Sequence, residues 1–185
     1  MVKRVVIVHG WGGFPEEGWR PWLKKELSAR GYVVSMPAMP VGEPPCASAW
    51  VDAISKVVGT PNESTFLVGH SLGAMAIVRY LEQLEYNWIG GAVFVAGFIK
   101  DLGMPHGDFF TTPVNYPVVR EHCKNFTDIY SDNDPYVPMV QAQLIRKELG
   151  AKTILAKGMK HFSADEGCEK APVILNEILS MSGLV

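Results

Sequence analysis

The stretch Gly69-His70-Ser71-Leu72-Gly73 decides the fold, because it joins two segments of different periodicity. The apolar run Thr65-Phe66-Leu67-Val68 before it is typical of a buried strand, and residues 74–84 after it have the spacing of an amphipathic helix. A serine between glycines, where a strand turns sharply into a helix, is the pattern of a nucleophile elbow. The glycines let strand and helix approach closely, and the turn raises the serine side chain above the sheet. We therefore predict that Ser71 is a nucleophile. The alternative is that it only caps the helix.

Short apolar runs alternate with amphipathic, helix-length segments along the rest of the chain. The predicted strands are residues 4–8, 32–36, 65–68, 92–96, 128–130 and 153–156. The predicted helices are residues 17–30, 47–58, 72–84, 139–149 and 171–181. This alternation predicts an α/β fold, a doubly wound, mostly parallel six-stranded sheet with helices on both faces. At 185 residues we expect a single domain, residues 1–185. Catalytic groups in such sheets lie in loops beyond the carboxyl ends of the strands.

The composition argues against several classes of function. Apolar residues make up 48% of the chain and charged residues 19%, as in a folded globular protein. The net charge of −2, without any cluster of Lys or Arg, offers no electrostatic basis for binding nucleic acid or an anionic membrane. The apolar run 5–8 is too short for a signal peptide or a membrane span, so we expect a cytoplasmic protein. Cys46, Cys123 and Cys168 lack the spacing of a zinc site, and we expect no metal.

A glycine-rich loop, His9-Gly10-Trp11-Gly12-Gly13, follows the first predicted strand. It lacks both the G-x-G-x-x-G pattern and the Gly-Lys-Ser/Thr pattern of phosphate-binding loops. We predict instead that the backbone N–H of Trp11 forms half of an oxyanion hole and the N–H of Leu72 the other half. Two N–H groups that converge on one oxygen stabilise a tetrahedral oxyanion more than a ground-state carbonyl.

Candidates for an acid and a base follow the last two predicted strands. Ser131-Asp132-Asn133-Asp134 comes after the fifth strand, and His161 comes after the sixth. The proline after Asp134 forces this residue into an extended conformation, so Asp134 is the preferred acid. Asp132 is the second candidate and is better placed to bond the backbone of its own turn. The order Ser71, Asp134, His161, each beyond a predicted strand, is the order of the triad in α/β hydrolases.

The segment from 98 to 125 is the longest without clear periodicity. Long irregular segments in compact domains are often lids or binding loops. Phe98, Phe109 and Phe110 could line a substrate pocket there, and packing in the core beneath the loop is the alternative.

On these residues the chain resembles the α/β-hydrolase superfamily, and within it the small serine hydrolases related to retinoblastoma-binding protein nine and the bacterial YdeN type. The resemblance spans essentially the whole chain. The motifs that carry it are His9-Gly10, Trp22-Leu23, Gly69 to Gly73, Ser131 to Pro138, and His161-Phe162. The resemblance implies that Ser71 is the nucleophile, Asp134 the acid and His161 the base. It also implies a minimal sheet with little or no cap. Family members often have glycine where this chain has Lys160.

Together these observations predict a serine hydrolase that cleaves small carboxylic esters through an acyl-enzyme on Ser71, with no cofactor. An amidase, a peptidase or a thioesterase would use the same three residues, because fold and triad do not select the substrate. The alternative from another class is a protein-binding module with vestigial activity, since one family name records a protein partner. The intact triad favours the enzyme. Its expected partner is a small ester or acyl compound.

Overall fold

The computed structural model describes residues 2–183. Its centre is a six-stranded sheet in the order β2-β1-β3-β4-β5-β6, and every neighbouring pair is parallel. The strands are β1 Arg4–Val8, β2 Val33–Ser35, β3 Thr65–His70, β4 Gly91–Val95, β5 Phe126–Tyr130 and β6 Lys152–Leu155. The predicted doubly wound α/β sheet is confirmed.

Six helices cover the two faces of this sheet. They are α1 Trp19–Ser28, α2 Ala47–Val58, α3 Leu72–Glu82, α4 Tyr116–His122, α5 Val140–Leu149 and α6 Pro172–Met181. Helices α1 and α6 pack on one face, and α2 to α5 pack on the other. Successive side chains of a strand point to opposite faces, so a strand covered on both faces is apolar throughout. In β1, Val6 and Val8 join one core cluster, whereas Val5 and Ile7 join the other.

The element boundaries differ from the prediction in two informative places. Strand β3 continues through Gly69 and His70, because both residues keep pairing with β4 up to the turn itself. The segment 98–125 contains helix α4, which the sequence pattern did not predict. Seven residues are too few for a visible helical period, and this helix begins on a local signal: the side chain of Asn115 accepts a hydrogen bond from Val118 N at 3.4 Å. Among residues 2–183, no helix is long and apolar enough to cross a membrane.

Candidate active site

Ser71 lies at the sharp turn between β3 and α3. Its φ is 54° and its ψ is −123°, a backbone conformation that costs a non-glycine residue free energy. Its N–H donates to Val95 O of the neighbouring strand at 2.9 Å, which anchors the turn to the sheet. Ser71 occupies the N-cap position, but its hydroxyl makes no capping hydrogen bond. The alternative that this hydroxyl serves to cap the helix is therefore wrong.

The glycines of residues 69–73, the nucleophile turn, are required by backbone contacts. A Cβ on Gly69 would lie 2.7 Å from Ala74 N, and a Cβ on Gly73 would lie 2.6 Å from Val8 O. Both distances are far below van der Waals contact, and backbone atoms cannot swing away as a side chain can. Helix α3 comes this close to β3 at Gly69 and to the end of β1 at Gly73 only because these two positions lack side chains.

The structure brings His161 and Asp134 together. His161 Nδ1 donates to the Asp134 carboxylate at 2.9 Å from Oδ2 and 3.1 Å from Oδ1. Oδ1 of Asp134 also accepts from Tyr136 N at 2.8 Å and Val137 N at 3.0 Å, which fixes the direction of the carboxylate. With its proton on Nδ1, the ring presents a lone pair on Nε2. This is the tautomer that a general base for a serine needs.

Residues 158–163, the histidine loop, are held by the loop that follows β5. Three consecutive backbone N–H groups, those of residues 158 to 160, donate to three consecutive side chains of the other loop. Asp132 Oδ1 accepts the first at 2.8 Å, Ser131 Oγ the second at 3.0 Å and Asn133 Oδ1 the third at 2.8 Å. Asp132 thus bonds the histidine loop, and the prediction that it bonds the backbone of its own turn is wrong.

Two further residues hold the backbone of His161, and neither was predicted from sequence. His70 Nε2 donates to His161 O at 2.8 Å, and Glu166 Oε2 accepts from His161 N at 2.8 Å. Burial, with a smaller contribution from the nearby His161, lowers the pKa of His70 to about 3, so its ring is neutral at pH 7. His70 occupies a position of the G-x-S-x-G motif that any residue can fill, so the motif could not predict that His70 contacts His161.

Ser71 and His161 line one open cavity of about 230 Å³. The rest of its wall comes from residues 10–13, from Glu17 and Arg20 near the start of α1, from His70, and from residues 163–165. Within residues 2–183 the hydroxyl of Ser71 makes no hydrogen bond, so the structure places Ser71 and His161 at one cavity without joining them. Catalytic hydrogen bonds of this kind often tighten only when substrate is bound. No group of three His, Cys, Asp or Glu side chains in the described part of the chain is arranged to hold a metal ion.

The two predicted oxyanion donors belong to segments that adjoin Ser71. A Cβ on Gly10 would lie 3.0 Å from Ser71 Cβ, so the loop that carries Trp11 packs directly against Ser71, and Leu72 follows Ser71 in the chain. The N–H groups of Trp11 and Leu72 have no hydrogen-bond partner among the residues described. Leu72 opens helix α3, whose positive dipole end favours negative charge at this point.

The structure does not bring the three predicted pocket phenylalanines to Ser71. Phe98 and Phe109 are buried in the core on the α3 face, where Phe109 packs edge-on against Trp50 at 5.6 Å between ring centroids. Phe110 is half-buried and stacks on Phe98 at 5.8 Å. None of the three lines the cavity of Ser71. Core packing, the alternative, describes Phe98 and Phe109, whose side chains are buried. Phe110 lines a second cavity, together with Arg79 and Tyr116, away from Ser71.

Comparison with known proteins points to one family. The family model described as serine hydrolase matches residues 5–179. The chain is 32% identical to the YdeN protein of Bacillus subtilis strain 168 over 183 residues, covering 97% of this chain and 96% of that protein. It is 27% identical to the serine hydrolase RBBP9 of Rattus norvegicus over 177 residues, covering 92% and 93%.

Solved structures agree with this placement. The crystal structure of the B. subtilis ydeN gene product superimposes with a TM-score of 0.93 at 31% identity, covering 98% of this chain and all (100%) of that one. The esterase PE8 superimposes with a TM-score of 0.61 at 18% identity, covering 96% and 93%. At that identity the likeness to PE8 shows the fold alone.

Proposed function

Because the chain belongs to the serine hydrolase family and has the α/β-hydrolase fold, we propose that it hydrolyses small carboxylic esters through an acyl-enzyme on Ser71. One observation carries the proposal. His161, whose Nδ1 lies 2.9 Å from Asp134 Oδ2, and Ser71 at its strained turn line the same cavity. A neutral imidazole with its proton on Nδ1, beside a serine raised above the sheet, is the arrangement that activates a hydroxyl as a nucleophile.

In the first half of the proposed reaction, His161 Nε2 takes the proton of Ser71 as Oγ bonds to the ester carbonyl carbon. The carbonyl oxygen becomes an oxyanion, which the N–H groups of Trp11 and Leu72 stabilise. The tetrahedral intermediate then expels the alcohol, whose oxygen takes the proton from His161. Asp134 stabilises the positively charged imidazolium that exists between these two proton transfers.

In the second half, water releases the acid. His161 takes a proton from a water molecule as its oxygen bonds to the acyl carbon, and the same two N–H groups hold the second oxyanion. The bond from the acyl carbon to Ser71 Oγ then breaks, and Oγ recovers its proton from His161. The carboxylic acid leaves, and the protein returns to its starting state.

The size of the site supports a small substrate. A cavity of about 230 Å³ is smaller than the pockets that enclose drug-sized ligands, about 300–1,000 Å³. The same residues would serve an amidase, a peptidase or a thioesterase, so the bond that is cleaved has to be measured. Kinetics on an ester, a thioester and an amide with the same acyl group would rank the three reactions.

The decisive experiment is labelling with a fluorophosphonate, followed by location of the adduct by mass spectrometry. We expect one adduct per chain, on Ser71, and none in Ser71→Ala. Ser163→Ala is the matched control, since Ser163 lines the same cavity but does not lie at a strand-to-helix turn, and it should label like the wild type. An adduct on Ser163, or no adduct on protein that circular dichroism shows to be folded, would contradict the proposal. The second outcome would favour the protein-binding alternative.

A further inference from the structure

The cavity of Ser71 has a buried guanidinium in its wall. The side chain of Arg20 is only 3% exposed. Its Nε and Nη2 donate to Phe14 O at 3.2 and 2.9 Å, and Nη2 also donates to Glu17 Oε2 at 2.9 Å. Its remaining nitrogen, Nη1, has no hydrogen-bond partner among residues 2–183. A buried guanidinium with an unused donor lowers the stability of the fold unless water or a ligand accepts a hydrogen bond from that donor.

An unused acceptor lines the same cavity. His70 donates from Nε2 to His161 O at 2.8 Å, so the proton of its ring lies on Nε2. In a neutral imidazole the other nitrogen, here Nδ1, is then an acceptor. Nδ1 has no partner in the described part of the chain. Arg20 and His70 both line this cavity. The wall therefore offers one donor and one acceptor.

The position of this cavity relative to His161 indicates which part of a substrate would occupy it. In the proposed reaction His161 passes its proton to the oxygen of the departing alcohol, so that oxygen must lie beside the ring of His161. His161, residues 163–165 directly after it, and His70, which bonds its carbonyl, line one part of the cavity, and residues 10–13 with Ser71 line another part. The alcohol part of the ester would therefore extend into this space.

The hydrogen-bonding groups around the cavity favour a hydroxyl. Glu17 is already paired with Arg20, so the carboxylate of Asp165 is left unbalanced in the lining and disfavours an anionic alcohol. A quaternary ammonium can neither accept a hydrogen bond from Arg20 nor donate one to His70. A hydroxyl group can do both.

We propose that this hydrolase selects esters whose alcohol part carries free hydroxyl groups, that is, partial esters of a polyol, and that Arg20 Nη1 and His70 Nδ1 bind one such hydroxyl. The inference rests on the proposed ester hydrolysis at Ser71 and specifies its substrate class. Arg20 is on this account a specificity residue. If Arg20 were purely structural, its role would be limited to its hydrogen bonds to Phe14 O and Glu17.

The test compares kcat/KM of the wild-type protein for three butyrate esters: propyl butyrate, glycerol 1-butyrate and butyrylcholine. The first two alcohols have the same carbon chain and differ only in their hydroxyls. Each value is divided by the rate of hydroxide-catalysed hydrolysis of the same ester, which removes differences in leaving-group reactivity. We expect the glycerol ester to exceed the propyl ester by about tenfold or more, the scale of a hydrogen bond to a charged group. Equal values, or preference for butyrylcholine, would overturn the inference.

A parallel assay with 4-nitrophenyl butyrate separates this inference from the proposed function. No turnover of that activated ester would contradict ester hydrolysis itself. Turnover of it without any preference for the glycerol ester would overturn only the polyol inference.

A substitution tests whether Arg20 causes the preference for the glycerol ester. Arg20→Gln removes Nη1 but keeps an amide that can donate to Phe14 O, and we expect the normalised glycerol-to-propyl ratio to fall to about one. Arg30→Gln, an exposed arginine at the end of α1, is the matched control and should keep the wild-type ratio. An Arg20→Gln protein that folds and retains the preference would contradict the role of Arg20. If that variant does not fold, the wild-type ratio still decides whether the selectivity exists.

Discussion

The nucleophile turn and the histidine loop border the same cavity and each contains a non-glycine residue at positive φ, but they are held in different ways. In the nucleophile turn, Ser71 has a φ of 54° and is fixed by backbone contacts of its two flanking glycines. In the histidine loop, Lys160 has a φ of 49° and is fixed by side chains from residues 131–133. The first region is held by close contacts between backbones, and the second by a polar network between two loops.

The difference teaches where each region is sensitive. The nucleophile turn tolerates no added atom, since its contacts are between backbone atoms. The histidine loop tolerates changes that preserve an acceptor at the right place, since each of its bonds needs only an oxygen. We therefore expect an added methyl group to destabilise the nucleophile turn. Around the histidine loop, we expect the effect of removing a charge to depend on which carboxylate is replaced.

The largest expected effect is a difference in kcat between variants of the two carboxylates of the β5–α5 loop, Asp134 and Asp132. We expect Asp134→Asn to lower kcat by about 10⁴-fold, because an amide facing His161 Nδ1 favours the wrong tautomer. Asp132→Asn should change kcat less than about threefold, since an amide oxygen can still accept from Gly158 N. Steady-state kinetics on an activated ester measures both. Equal losses in the two variants would show that the network, and not the acid, limits catalysis.

The next effect concerns the packing of the nucleophile turn. Gly73→Ala should lower the free energy of unfolding by about 3 kcal/mol, because its methyl group would meet Val8 O at 2.6 Å. Gly31→Ala is the control: its φ is +84° but no atom lies within 4 Å of the added Cβ, so only backbone strain of about 1 kcal/mol applies. Urea unfolding, analysed with the same m-value for both variants, measures the difference between their unfolding free energies. A cost for Gly73→Ala no larger than that of the control would mean that strand and helix can separate at the turn.

A smaller effect depends on pH and concerns Asp128 of β5, which lies between the two regions. Burial raises the pKa of Asp128 to about 8, against a smaller opposing effect of the nearby backbone of Gly97, and neither carboxylate oxygen makes a well-formed hydrogen bond among the described residues. A raised pKa in the folded state means that the folded protein holds this proton more tightly than the unfolded chain. The stability that the proton provides is complete below about pH 4 and is lost as pH rises through about 8.

Asp128→Asn removes this titration. We expect the unfolding free energy of the wild type to fall relative to that of the variant between pH 4 and pH 8, by about 2 kcal/mol in all, the scale of an unsatisfied buried group. Urea unfolding at several pH values gives the slope of the unfolding free energy against pH for each protein. Comparing the two slopes cancels any pH-independent cost of the amide. Parallel slopes would show that Asp128 does not hold a proton in the folded protein.

The smallest expected effect lies in the histidine loop. Lys160→Gly should raise the unfolding free energy by about 0.5–1 kcal/mol, because glycine adopts a positive φ without strain. Lys157→Gly, an exposed residue of the same segment without a positive φ, should lower stability instead. Thermal unfolding of the pair measures both signs. A loss of stability in Lys160→Gly would mean that the lysine side chain contributes more than its backbone strain costs.

The prediction from sequence succeeded where the structure restricts residue type. Alternating apolar runs predicted the parallel sheet, and Gly69 and Gly73 predicted the turn at Ser71, because each requirement restricts residue type and is therefore visible in the sequence. Helix α4 was missed, since seven residues are too short for a period and its start depends on Asn115. Loop context predicts a pocket role for Phe98, Phe109 and Phe110, whereas the first two are buried in the core and Phe110 lines a cavity other than that of Ser71.

By itself, the sequence determined the sheet, the strained serine and the chain order of Ser71, Asp134 and His161. The tertiary structure alone decided that Asp132 holds the histidine loop, that His70 and Glu166 hold the backbone of His161, and that Arg20 lines the cavity. The physical reason is how strictly each interaction restricts residue type. A close approach of two backbones admits only glycine, whether within the turn, as at Gly69, or against β1, as at Gly73, and so leaves a signature in residue type. Hydrogen bonds between distant loops can be made by many polar residues, so only the folded chain shows which ones make them.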